Sequence, residues 1–259
     1  MKLKNIKLAL LFILTLSSIF SIGCYGQKRP NIVLVMADDL GGRDLATYGN
    51  NFNETPNIDA LAKQGMVFNQ AYAAPVCSAT RASIQSGQTP ARVGIFDFIP
   101  GHWRPFEEVT VPHHQVQHLP KDIFTIGDAM QSAGYKTGYF GKWHLSKGNR
   151  NAAIGEGSHN PDTRGYDKSH TYAGGGYYRP VFTPTYKLDG PKRLSKVLTD
   201  MGVDFMKENQ DEPFFLFVSH YDVHVQLDAD ESVIDKYLNK KRDPDYPGNA
   251  VYAAMIEHT

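Results

Sequence analysis

Three apolar segments of the chain, 31–36, 135–140 and 214–218, are each followed by residues that can bind ions or move protons. These residues are two carboxylates, one ammonium and two imidazoles, namely Asp38, Asp39, Lys142, His144 and His224. Taken singly, each has an ordinary explanation, as a turn cap, a solvated lysine or a core histidine. If the three segments are parallel strands of one open sheet, however, ligands collect beyond their carboxyl ends. The spacing therefore predicts that the five side chains meet at one rim.

The neighbouring carboxylates Asp38 and Asp39 indicate which ion such a rim would hold. No Cys-x-x-Cys or His-x-x-x-His pair lies close to them in sequence, so calcium or magnesium bound by oxygen is favoured over zinc. Two aspartates supply only part of the roughly six to eight oxygens that Ca²⁺ takes. Lys142 and His144 are two residues apart, so in an extended backbone both face one side while Trp143 faces the other.

Cys77 precedes a short helical pattern over 78–86 that stops at Gly87. Its side chain is therefore expected at a helix N-terminus, which favours a thiolate or a bound oxyanion such as sulfate or phosphate. Arg81, four residues further on, can turn back toward the same point along the helix face. The plainer alternative is an inert buried cysteine that packs as a small apolar side chain.

Apolar strands alternate with amphipathic helices along the chain, which is typical of an α/β fold. Helices are predicted from the apolar stripes at 58–62, 126–133, 194–205 and 251–258, the second of which follows a capping box of Thr125 and Asp128. Val67 and Phe68 are expected to begin another extended segment. The long stretches 97–118 and 149–187 are rich in Gly, Pro, Tyr and His and are expected to be irregular binding loops. We predict a central, largely parallel sheet flanked by helices.

Residues 1–26 are typical of an export signal, either of the lipoprotein type or of the ordinary type. Three lysines precede the apolar run 8–20, which is too short to span a bilayer. The segment 21–24 is similar to a lipoprotein cleavage box, which would leave Cys24 as a lipid anchor. The alternative is cleavage after Gly26, which removes that cysteine. Either route predicts an exported protein, periplasmic or anchored as a lipoprotein, in which Cys77 has no disulfide partner.

The charge balance excludes one class of partner. The chain has 27 basic and 27 acidic residues; without the three lysines of residues 1–26, 24 bases face 27 acids, a net charge of −3. A slightly acidic chain with no basic stripe is a poor ligand for a nucleic-acid backbone. No repeat or low-complexity linker divides residues 27–259, which are expected to form one domain. The helical pattern that runs to Thr259 has no closing strand or cap, which suggests a truncated reading frame.

Several motifs, in order, resemble the type I sulfatases. The segment Cys77-Ser78-Ala79-Thr80-Arg81 is similar to the family's C-x-P/A-x-R maturation motif. The opening strand with its aspartates, the helix after it and a later Gly-Lys-Trp-His-Leu segment resemble further family motifs, at 29–41, 55–62 and 141–145. The resemblance runs from about Lys28 to the end of the chain. It implies the alkaline-phosphatase-like sandwich, with 27–259 as the N-terminal portion of a catalytic domain whose C-terminal part is missing.

The resemblance assigns a role to each candidate residue. It implies that a formylglycine-generating enzyme oxidises Cys77 to formylglycine, whose hydrate attacks a sulfate ester. Asp38, Asp39 and the residue at position 77 would bind one Ca²⁺. Arg81 and Lys142 would offset the charge of diol and sulfate, His144 would be the base that releases sulfate, and His224 would bind sulfate and protonate the leaving alcohol. The implied substrate is a sulfated small molecule or carbohydrate, such as a sulfated glycan or an aryl sulfate.

The chain departs from the family pattern at three places. Ala79 stands where proline is usual, and Val225-Gln226 replaces the more usual Thr-Pro or Tyr-Pro after the histidine, which leaves His220 as an alternative to His224. The family's later metal ligands and a sulfate-binding lysine are expected beyond Thr259. The remaining alternatives are a phosphonate or phosphate monoester hydrolase of the same superfamily, and an inactive truncated fragment. A cysteine protease is disfavoured because it would leave Asp38 and Asp39 without a role.

Overall fold

The computed structural model describes residues 29–101, 115–147, 159–241 and 248–259. Contacts divide the chain into two units, Met1–Pro30 and Asn31–Thr259, and all the described helices and strands belong to the second. The predicted export signal and Cys24 lie outside the described residues. Among the helices that are described, none has the length and apolar character needed to cross a membrane.

The described residues form a five-stranded sheet in the order β1-β5-β2-β3-β4. The strands are β1 (Ile32–Met36), β2 (Lys136–Gly141), β3 (Lys168–Gly174), β4 (Val181–Thr183) and β5 (Phe214–Ser219). β1, β5, β2 and β3 are parallel, and β4 pairs antiparallel with β3. The predicted α/β class with a largely parallel sheet is therefore confirmed.

The strand register brings three carboxyl ends level with one another. Met36 of β1 and Gly141 of β2 both pair with Ser219, the last residue of β5. The residues that follow these three strand ends therefore emerge at the same edge of the sheet, as the sequence predicts.

The part of the chain that the structure describes contains seven α-helices. They are α1 (Pro56–Gln64), α2 (Cys77–Ser86), α3 (Pro90–Val93), α4 (Ile126–Ser132), α5 (Leu194–Glu208), α6 (Glu231–Leu238) and α7 (Ala250–His258). The capping box of Thr125 and Asp128 is present at the start of α4. Gly87 ends α2 with a φ of 66°, a left-handed conformation that costs glycine little.

Alternate residues of β5 supply two separate cores. Phe214, Leu216 and Val218 pack with α5 and α7, whereas Phe215 and Phe217 pack with the second core, which includes Ala82 of α2 and Trp143. Because successive side chains of a strand point to opposite faces, the sheet is covered on both sides. This explains why β5, an inner strand, is apolar at nearly every position.

Two sequence expectations about local structure are wrong. Val67 and Phe68 belong to no strand, although their side chains are apolar. The stretch 149–187, expected to be irregular, contains β3 and β4. β3 has the sequence KSHTYAG, without a continuous apolar run, and its backbone pairing with β2 determines its conformation.

β1 has one neighbour among the described strands, and its Val33 and Val35 side chains are 47% and 59% exposed.

Candidate active site

A cavity of about 790 Å³ lies beyond the carboxyl ends of the central strands. Five of the seven predicted site residues line it: Asp39, Cys77, Lys142, His144 and His224. The structure thus brings together side chains from four separate regions of the sequence. The other two, Asp38 and Arg81, are both 2% exposed and lie behind the cavity wall. The same wall includes Tyr221, which sequence reasoning did not assign to the site, and Tyr172 and the glycines 174–176, which belong to the long stretch predicted to be a binding loop.

Cys77 is the first residue of α2, as its sequence context predicts. Ala79 and Ala82 of this helix are buried, which fixes the helix against the protein and turns Cys77 toward the cavity. The cysteine Sγ lies 3.1 Å from His144 Nδ1. Burial raises the pKa of the Cys77 thiol, and the positive charge of Lys142 only partly opposes this. A nucleophilic cysteine needs a lowered pKa, so the geometry disfavours the cysteine protease alternative.

His144 is oriented by both of its ring nitrogens. Nε2 is 2.7 Å from the Ile99 carbonyl oxygen, which can only accept, so Nε2 carries the proton and Nδ1 presents a lone pair to Cys77. Burial and the charge of Lys142 lower the pKa of His144 to about 4. The ring is therefore neutral at neutral pH and can accept a proton from the group at position 77.

Ser78 holds the two partners of this arrangement together. Its hydroxyl donates to the His144 carbonyl at 2.8 Å and accepts from the Ile99 backbone N–H at 3.1 Å. His144 itself has a φ of 55°, a left-handed conformation that is costly for a side chain with a Cβ. Sequence reasoning missed the role of Ser78, whose only signal was its place beside Cys77 in the maturation motif.

Asp38 lies between two cations behind the cavity. Arg81 Nη2 donates to its Oδ1 at 3.0 Å, and the Lys142 ammonium donates to its Oδ2. Burial alone would raise the pKa of Asp38, but the two cations outweigh it and hold the pKa below its usual value. Arg81 also donates through Nη1 to Ser219 Oγ and to the Lys142 carbonyl. Arg81 therefore supports the site from behind and does not line the cavity.

The backbone between β2 and His144 is tightly constrained. Gly141 has a φ of 116°, and a Cβ at this position would overlap the carbonyl of Ser219, so only glycine fits. Lys142 and His144 both line the cavity, while Trp143 is buried in the second core, as predicted. The predicted reason is wrong, because β2 ends at Gly141 and His144 is not extended.

His224 and Asp39 form the outer wall of the cavity. His224 Nε2 lies 3.7 Å from Asp39 Oδ2, and the Asp39 side chain is 55% exposed. The ring of Tyr221 lies 4.8 Å from the His224 ring and 4.9 Å from the Lys142 ammonium. The alternative histidine, His220, is 2% exposed and does not line the cavity, so the structure favours His224.

The donor types at the cavity fit a hard cation, although the number of donors falls short. Asp38 and Asp39 offer carboxylate oxygens, which Ca²⁺ prefers. Within the described ranges, no group of three or more His, Cys, Asp or Glu side chains is placed to hold a metal ion. Asp39 has the more accessible carboxylate, because both oxygens of Asp38 already accept from cations.

Comparison of the sequence with known proteins identifies the family of the chain. The sequence model of the family described as Sulfatase matches residues 30–256. The chain belongs to the sulfatase family. It is 32% identical to a sulfatase of Formosa agariphila, over 89% of this chain and 51% of that protein. It is also 30% identical to the N-acetylgalactosamine-6-sulfatase of Sus scrofa, over 79% of this chain and 42% of that protein. The chain thus spans about half the length, or less, of these relatives.

Two solved structures share the fold. The crystal structure of Ps i-CgsB in complex with k-i-k-neocarrahexaose superposes with a TM-score of 0.70 at 26% identity, covering 90% of this chain and 52% of that one. YidJ of Bacteroides fragilis superposes with a TM-score of 0.64 at 20% identity, covering 91% of this chain and 58% of that one. The predicted family and fold are confirmed.

The buried histidine of this sulfatase chain, His220, predicts a loss of stability in acid. Burial lowers its pKa to about 4, whereas an unfolded histidine takes up a proton near pH 6.5. Between these values the unfolded chain binds a proton that the folded chain does not. We therefore expect the free energy of unfolding to decrease as pH falls from about 6.5 to about 4, by up to about 3 kcal/mol from His220, with His144 adding to the decrease.

Urea titrations across this pH range measure the effect. His220→Asn is expected to flatten the pH dependence. Equal pH dependence in wild type and His220→Asn would contradict the assignment.

Proposed function

We propose that the protein hydrolyses sulfate esters at the cavity that contains Cys77. The observation that carries the proposal is the meeting of Cys77, His144 and Lys142 in one cavity of a sulfatase-family chain. A negatively charged ester needs nearby cations, a nucleophile and a proton acceptor. The cavity and the wall behind it contain groups that can fill these roles.

The nucleophile is proposed to come from Cys77 by conversion to formylglycine. Once hydrated, formylglycine would supply two hydroxyls, one to displace the alcohol of the ester from sulfur and one to release sulfate as the aldehyde re-forms. The unmodified thiol is unsuited to attack because burial raises its pKa. A formylglycine-generating enzyme is accordingly the partner that we propose for maturation.

Asp38 and Asp39 are proposed to hold one Ca²⁺ together with the oxygen at position 77. Such an ion would supply Lewis acidity and orientation for a sulfate oxygen. Asp38 cannot turn freely, because Arg81 and the Lys142 ammonium donate to its two oxygens. The arrangement keeps the carboxylate ionised and fixes its direction.

His144 and His224 are proposed to move protons on opposite sides of the substrate. His144 accepts through Nδ1, since Nε2 is committed to the Ile99 carbonyl. Lys142 lies in the same wall and offsets the negative charge of the ester. His224, on the outer wall, would bind sulfate and protonate the leaving alcohol. Arg81 is proposed to act through Asp38 and Lys142 and not by contact with the substrate.

A sulfated carbohydrate is the substrate class that we favour. The cavity wall carries the aromatic rings of Phe98, Tyr172 and Tyr221, and such rings can stack on the apolar faces of sugars. Relatives named for N-acetylgalactosamine 6-sulfate and a structure solved with a neocarrahexaose support the same class. An aryl sulfate would also fit this wall.

The cellular setting is proposed from the sequence. Residues 1–26 are taken as the export signal, and 27–259 as the N-terminal portion of the catalytic domain. Export predicts a periplasmic protein or, if Cys24 is lipidated, a membrane-anchored lipoprotein. An exported location suits an enzyme whose substrates are sulfated glycans that come from outside the cell.

Matched sulfate and phosphate esters test the proposed function. We expect kcat/KM for p-nitrophenyl sulfate to exceed that for p-nitrophenyl phosphate and for a phosphonate monoester by at least about tenfold, equal to about 1.4 kcal/mol. Dialysis against a chelator should remove the activity, and added Ca²⁺ should restore it. Preference for the phosphorus esters would support the superfamily alternative, and the absence of turnover with all three would support an inactive fragment.

A further inference from the structure

A buried ion pair lies behind the segment that carries His224. Asp222 is fully buried, and its Oδ1 accepts from Arg193 Nη2 at 2.6 Å. Arg193 is itself 8% exposed. A buried charge pair stabilises little by itself, but loss of one partner leaves the other charge uncompensated. The pair therefore fixes the relative position of the two backbones that carry it.

Arg193 contacts three parts of the chain at once. It directly precedes α5, and its Nη1 donates to the Tyr178 hydroxyl and to the Asp228 carbonyl, each at 3.1 Å. Its guanidinium also lies over the rings of Tyr177 and Tyr178, 5.1 and 5.4 Å from their centroids. A planar guanidinium can stack and donate hydrogen bonds in this way, whereas the ammonium of lysine cannot.

Two residues that Arg193 contacts, Asp222 and Tyr177, form hydrogen bonds with the backbone of active-site residues. The Asp38 N–H donates to the Asp222 carbonyl at 2.8 Å, and the Val223 N–H donates to the Asp38 carbonyl at 2.7 Å. The Tyr177 hydroxyl donates to the His224 carbonyl at 2.5 Å. Two short connections thus run from Arg193, one through Asp222 to the Asp38 backbone and one through Tyr177 to the His224 backbone.

We propose that Arg193 is a positioning residue that sets the place of His224 relative to Asp38. The proposal rests on the proposed sulfate ester hydrolysis for its catalytic consequence, but the positioning itself is measurable without turnover. Arg193 does not line the cavity, so its effect on the reaction would pass through Asp222 and Tyr177.

Two mild variants of the full-length chain test the proposal. Arg193→Lys keeps the positive charge beside Asp222 but loses the stacking, and Tyr177→Phe removes only the hydroxyl that bonds His224. For each we expect kcat/KM on the sulfate ester to fall about 10- to 100-fold, mainly through kcat, because a misplaced catalytic group costs rate. The double variant is expected to be no more than about threefold worse than the poorer single variant, since both changes release the same segment.

Histidine-selective nitrogen NMR gives a readout that does not need activity. The ring signals of His224, assigned with His224→Gln, should shift in both variants, while those of His118, which packs against His159, should not. Lys196→Met is the control, because Lys196 is an exposed α5 residue paired with Asp200. It should change kcat/KM by less than about twofold.

The outcomes separate the two proposals. Folded Arg193→Lys and Tyr177→Phe proteins with wild-type His224 signals and wild-type kcat/KM would overturn the positioning role. A lowered melting temperature without a shift of His224 would also overturn it, by showing a purely structural role. If wild type hydrolyses no sulfate ester but the His224 signals still shift, the proposed function fails and the positioning of His224 stands.

Discussion

Replacing Cys77 with alanine is expected to lower kcat on a sulfate ester by at least about 10⁴-fold, because the variant lacks the proposed nucleophile. Cys77 is only partly buried, and its Sγ contacts His144 Nδ1. The free energy of unfolding should therefore change by no more than about 1 kcal/mol. Steady-state assays and thermal unfolding on the same preparation measure both quantities.

Cys77→Ser is the control that distinguishes attack on the sulfate ester from the later release of sulfate. A serine has one hydroxyl, so it can attack the ester but has no second hydroxyl with which to expel sulfate. We expect at most a single turnover and a protein that carries one sulfate. Mass spectrometry of the wild-type peptide should show formylglycine, which is lighter than cysteine. A fully active wild type with an unmodified thiol would refute the proposed nucleophile.

Asp38→Asn and Asp39→Asn are expected to differ sharply in stability although the two residues are neighbours. Asp38 is buried between Arg81 and Lys142, so its loss leaves two buried cations without their partner. This should reduce the free energy of unfolding by about 3–5 kcal/mol. The Asp39 side chain is 55% exposed, and its replacement should cost less than about 0.5 kcal/mol.

Both variants should nevertheless lose sulfate ester hydrolysis if both carboxylates bind the ion. Denaturant titrations give the stability difference, and Ca²⁺ binding followed by calorimetry gives the effect on the ion. Asp39→Asn with normal Ca²⁺ affinity would remove Asp39 from the proposed metal site. An equal loss of stability in the two variants would contradict the buried ion pairs around Asp38.

Two of the strands that carry the site, β1 and β5, could be predicted from their apolar sequences, although only β5 is buried on both faces. β1 and β5 are nearly continuous in apolar residues, and each is followed by polar residues with no role in a core. The polar residues after β1, β2 and β5 therefore point to one rim without any knowledge of the sheet order. The register at Ser219 accounts for their meeting.

The remaining parts of the site depend on contacts between residues far apart in sequence. β3 has a mixed sequence that becomes a strand through pairing with β2, so its own residues give little indication of it. Arg81 was expected beside the substrate, but the acceptors offered by Asp38 and Ser219 draw its guanidinium behind the wall. The hydrogen bonds of Ser78 and Arg193 join segments that are far apart in sequence, so no local sequence pattern indicates them.

The hydrogen bonds of Arg81 span 43 positions to Asp38, 61 to the Lys142 carbonyl and 138 to Ser219. Loops of this length must close, with a loss of chain entropy, before these hydrogen bonds can form. Pairing of parallel strands has the same requirement. The chain should therefore fold slowly, with its cavity among the last regions to form. During that interval the apolar β5 remains unpaired, so synthesis at reduced temperature should raise the yield of soluble protein.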